Sequence, residues 1–119
     1  MDGKTLLLLS DTVIFYPALA HLSAGDEPLG ALGALMLTKA VAWQIEAGEE
    51  AWVTKSVAEW QRETGMTEAE INEARRYLRA TSFWLEREND AMPGLAVRVN
   101  LEALASALEG LPETEEESA

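Results

Sequence analysis

Between Trp52 and Leu101 the residues spell a strand, a helix, a tight turn, a second helix and a β-ribbon. Two helix-start signatures fix this reading. Ser56 is followed three residues later by Glu59, and Thr67 by Glu70, the reciprocal pattern that satisfies free N–H groups at a helix start. Gly65 lies between them, where the first helix must stop in a left-handed conformation that glycine tolerates. Val57 and Trp60 are expected to face inward on the first helix, and Met66, Ile71, Ala74 and Leu78 form the buried stripe of the second. Phe83–Trp84–Leu85 and Leu95–Val97–Val99 alternate as strands, with Met92–Pro93–Gly94 in the turn between them. Trp52–Val53–Thr54 reads as a third short strand of the same sheet.

The flanking segments are simpler. Residues 5–16, TLLLLSDTVIFY, read as one or two short strands broken at Ser10–Asp11. Pro17 opens a short helix, PALAHLSA, ended by Gly25. Asp26, Glu27 and Pro28 suit the first turn of the next helix, since acids favour the positive dipole end and Pro favours the first helical position. That helix is expected over about Leu29 to Ala47, with Leu32, Leu35, Met36, Ala40 and Trp43 at helical spacing and Gly48 as its stop. Gly30, Gly33 and several alanines thin one face of 30–47, which would let another backbone approach and offers a surface for a homodimer. Leu101, Leu104, Ala105 and Leu108 give a final amphipathic helix. The expected organisation is one domain over 1–108, with a helix pair at 55–80 and a β-ribbon at 83–100, and an acidic flexible tail over 109–119.

The order is that of a mainly helical α+β chain, a winged helix-turn-helix with an N-terminal strand and helix extension. Such a fold most often lays its second helix in the DNA major groove. Several segments also resemble one lineage: FYPALA at 15–20, GALMLTKAVAWQ at 33–44, the Trp-containing strand and lysine at 52–55, EWQRETGMTEAEINEARRYL at 59–78, and PGLAVRVNLEAL at 93–104. Over about residues 12 to 108 the chain resembles the winged-helix domain of phage and plasmid replication-initiation proteins and their small phage-encoded relatives. The resemblance implies a mobile-element origin and an ancestral DNA-binding role.

Charge opposes that role. The formal net charge is -12, with 21 acids against nine lysines and arginines. DNA binders draw most of their affinity from neutralising phosphates with basic side chains. The segment Lys55–Arg79 holds five bases and five acids, so it is neutral where a DNA reader is basic. With Ile71, Ala74 and Leu78 inward, Ala69, Asn72, Glu73 and Arg76 point outward, with Glu68 and Glu70 near the helix start. Two functions follow. In the first, the chain is a small acidic phage or mobile-element protein. It binds a basic, nucleic-acid-binding host protein and blocks it as a DNA mimic, in the manner of an anti-CRISPR inhibitor, through Glu68, Glu73, Glu86, Glu88 and Asp90. In the second, it is a DNA-binding replication initiator or transcription regulator using Asn72, Arg75, Arg76, Arg79, Arg87 and Arg98. The neutral helix pair favours the first. Local i,i+3 and i,i+4 pairing with Asn72 and Glu73 is a third, purely structural role for the helix arginines.

Nothing in the sequence points to an enzyme or a cofactor. There is no cysteine and a single histidine, His21, set among Leu19, Ala20 and Leu22 without an acid at ligand spacing. No glycine-rich loop leads into Lys-Ser/Thr, so nucleotide binding has no support. The run LeuLeuLeuLeu at 6–9 is too short to span a bilayer. Only Lys4 precedes it as a base and Ser10–Asp11 follow at once, so a signal peptide is not expected either. The expected compartment is the bacterial cytoplasm, with no membrane partner.

Overall fold

The computed structural model describes residues 17–87 and 94–110. The expected strands within 5–16, the turn residues Met92 and Pro93 and the tail from 111 onward lie outside them. The described residues form an α+β fold with five helices and two small antiparallel sheets: α1 Pro17–Ala20, β1 Ser23–Ala24, β2 Glu27–Pro28, α2 Gly30–Ala47, β3 Val53–Lys55, α3 Val57–Thr64, α4 Glu68–Leu78, β4 Trp84–Arg87, β5 Leu95–Val99 and α5 Leu101–Glu109.

The segment around Gly25 departs from expectation. Helix α1 ends after four residues, and β1 pairs with β2 about Gly25, whose φ is +69°. Glu27 and Pro28 are therefore strand residues, and α2 begins at Gly30 without a side-chain cap or an acid in its first turn. The Leu29 N–H donates to the Leu22 carbonyl at 2.7 Å, and both leucine side chains enter the core. Burying two leucines is worth more than a helix cap of about 1 kcal/mol.

Helix α2 runs through the middle of the fold. It buries Gly33, Ala34, Met36, Leu37, Thr38, Ala40, Val41, Ala42 and Gln44, more than one face of the helix. A Cβ on Gly33 would lie 2.6 Å from Leu29 Cδ1, so the glycine accommodates its own chain rather than a second backbone. The Gly/Ala surface of 30–47, expected to be open to a second copy, is thus largely occupied within the chain. Helix α2 ends as expected at Gly48, whose N–H donates to the Gln44 carbonyl.

Both capping boxes are formed. Glu59 N–H donates to Ser56 Oγ at 3.1 Å while Ser56 N–H donates to Glu59 Oε1 at 2.9 Å, and Thr67 and Glu70 repeat these distances. Gly65 takes φ +76° between the two helices. Trp60 is buried as expected, but Val57 is 40% exposed. Val57 is the first residue of an eight-residue helix, and the bulk of Trp60 fills the contact to the core. Met66, Ile71, Ala74 and Leu78 are all buried.

Strand β5 is the centre of the larger sheet, in the order β3-β5-β4. Trp84 pairs with Val99 and Glu86 with Val97, which is also the partner of Val53. This parity faces the helices, and Trp84, Val97 and Val99 are buried. The other parity holds Leu85 with Arg98, and Arg87 and Thr54 on either side of Ala96. Asn100 caps α5 by accepting from Ala103 N–H at 3.0 Å. Leu104 and Leu108 join the core as expected.

Gly94 enters β5 with φ +128°, and a Cβ there would stand 2.8 Å from the Lys55 carbonyl oxygen. We expect Gly94→Ala to destabilise the fold by about 1–3 kcal/mol, since both the backbone conformation and a rigid backbone atom oppose it. A denaturant midpoint unchanged from wild type would contradict this.

Candidate functional site

The residues singled out by the sequence fall into three groups. The first is the exposed side of α4. Glu68, Ala69, Asn72, Glu73 and Arg76 are all solvent-exposed there, as their helical spacing requires. Arg76 Nη2 donates to Glu73 Oε2 at 3.0 Å, an i,i+3 pair, and its guanidinium lies 4.4 Å from the Tyr77 ring centroid. An exposed pair of this kind contributes little to stability. It does occupy the one exposed α4 arginine beside Asn72.

The second group is a half-buried charge cluster between α4 and β4. Arg75 approaches Glu86 with two donors, Nε to Oε2 at 3.1 Å and Nη2 to Oε1 at 2.9 Å. Trp84 Nε1 donates to Glu86 Oε2 at 2.8 Å, and Arg79 Nη1 lies 3.6 Å from Oε1. The placement follows from two periods: Arg75 and Arg79 share one line of α4, and Trp84 and Glu86 share one face of β4. Burial pushes the Glu86 carboxyl up, but the bonds from Arg75 and Trp84, with the charges of Arg75 and Arg79, outweigh it and hold the pKa below the usual carboxylate value. The bond to Glu86 likewise raises Arg75 against the opposing effect of burial.

This cluster removes residues from both expected surfaces. Glu86 was an expected member of an open acidic face, yet only 12% of its side chain is exposed and three groups engage it. Arg75 was an expected DNA contact, yet its guanidinium is committed across the helix–strand junction. Its bond to Asn72 Oδ1, at 3.5 Å, is long. The sequence showed Arg75 pairing only locally, because the carboxylate it meets is eleven residues away in another element. The Trp84-x-Glu86 spacing was the available signal, since alternate strand residues share a face.

The third group is the outer face of the β3-β5-β4 sheet. Arg87 stacks over Trp52, 4.4 Å from its ring centroid. Because β5 lies between β4 and β3, this contact spans the sheet, and Ala96 in that position is 0% exposed. Arg98 occupies the same face, with its Nε buried and without a hydrogen-bond partner among the described residues. Leu85, its cross-strand neighbour, is 39% exposed. Among the described residues no carboxylate forms an ion pair with Arg87 or Arg98. The arginines of the alternative DNA surface therefore divide: Arg75 and Arg79 turn to Glu86, Arg76 to Glu73, and Arg87 and Arg98 to the far side of the sheet. Glu88 and Asp90 lie outside the described residues.

A cleft of about 260 Å³ opens elsewhere, lined by Trp43, Glu46, Ala47, Val53, Thr54 and Lys55. Trp43 packs edge-on against Trp60 at 4.7 Å and carries Lys55 Nζ 4.7 Å from its ring centroid. The ring is thus already in contact with both neighbours. Among the described residues no group of three or more His, Asp or Glu is placed to hold a metal, and no helix is long and apolar enough to cross a membrane. His21 is exposed beyond the end of α1. Comparison of the chain with family models, with curated proteins and with solved structures returned no match.

Proposed function

We propose that the chain is a non-catalytic interaction protein on a winged-helix plan, which binds a basic nucleic-acid-binding protein through the acidic start of α4. The helix pair α3–α4, with Gly65 in its turn and β4–β5 following, supports the winged-helix assignment. The observation that carries the function is the fate of the arginines. Arg75 is committed to Glu86 and Arg76 pairs loosely with Glu73 at the surface, while Glu68 and Glu73 stay exposed on the helix that would otherwise read DNA. With a net charge of -12, such a surface is steered towards a basic channel and away from phosphate. A small mobile-element inhibitor that occupies a host protein's nucleic-acid channel, of the anti-CRISPR type, fits this chemistry.

The test is charge reversal. Glu68→Lys combined with Glu73→Lys leaves Glu70, the capping partner, intact, so fold stability should change little. Partners recovered from bacterial lysate by wild type should be lost with the double variant. Association rates with a purified partner should fall about tenfold or more and lose most of their salt dependence. Direct titration with duplex DNA at physiological salt should give no complex. Equal recovery of every partner by both proteins, or a tight DNA complex that weakens steeply with salt, would overturn the reading.

A further inference from the structure

We draw no further inference here: the strongest candidate, the cleft of about 260 Å³ between the last turn of α2 and β3, carries nothing, because Glu46 and Lys55 on its walls favour ligands of opposite charge and its Trp43 ring is already engaged by Trp60, Lys39 and Lys55.

Discussion

Gln44→Leu should cost about 3–4 kcal/mol of folding stability, the largest loss expected of a single polar substitution among the described residues. Gln44 is 0% exposed. Its Oε1 accepts from the Val99 N–H at 2.8 Å, and its Nε2 donates to the carbonyls of Gly48 at 2.6 Å and Ala51 at 2.8 Å. One side chain thus closes the end of α2, shapes the loop to β3 and ties both to the central strand. Leucine preserves volume but removes all three bonds. Gly48 is exposed and Ala51 half-exposed, so water can replace the bonds to their carbonyls. Val99 is fully buried, and its N–H would be left without an acceptor. Most of the loss therefore comes from that one donor, with about 0.5–1.5 kcal/mol from each of the other two bonds. Chemical denaturation of wild type and variant measures it; a loss below about 1 kcal/mol would mean that Val99 finds another acceptor.

Glu86→Ala should cost about 2–3 kcal/mol, because it strands the Arg75 guanidinium and the Trp84 indole N–H in a half-buried site. The value sits below that of a fully buried pair because 27% of the Arg75 side chain remains exposed. The contribution also has a pH signature. The folded pKa of Glu86 is depressed, so its stabilisation is complete above the unfolded carboxylate value of about 4.3 and is lost as pH falls through the folded pKa. The stability gap between wild type and Glu86→Gln should therefore be constant at neutral pH and close in acid below about pH 4. A gap that instead closes between pH 6 and 8 would exclude Glu86 as the titrating group.

The local elements around α3 and α4 were readable in the residues because their causes are local. Ser56–Glu59 and Thr67–Glu70 close hydrogen bonds over three residues, and Gly65 meets a conformational demand at its own position. The buried stripe of α4 and the alternation of β4 and β5 follow from periods of 3.6 and 2. The same local logic misplaced Glu27 and Pro28. Two acids and a proline satisfy the rules for a helix start, but the burial of Leu22 and Leu29 in the core, on either side of the tight β1–β2 hairpin, is non-local and larger.

The candidate site was legible as a set of residues and not as an arrangement. That Glu68, Asn72, Glu73 and Arg76 share an exposed helix face was determined by the sequence, since spacing alone sets it. That Glu86 is spent on Arg75, Arg79 and Trp84 was decided only by the packing of α4 on β4. So were the placement of Arg87 and Arg98 on the opposite side of the sheet and the bond from Val99 to Gln44 across 55 residues. The physical reason is common to all three. Net charge and periodicity are sums over local choices, whereas the pairing of a charge depends on which distant groups the core brings within 3 to 4 Å, where a hydrogen bond or ion pair can form.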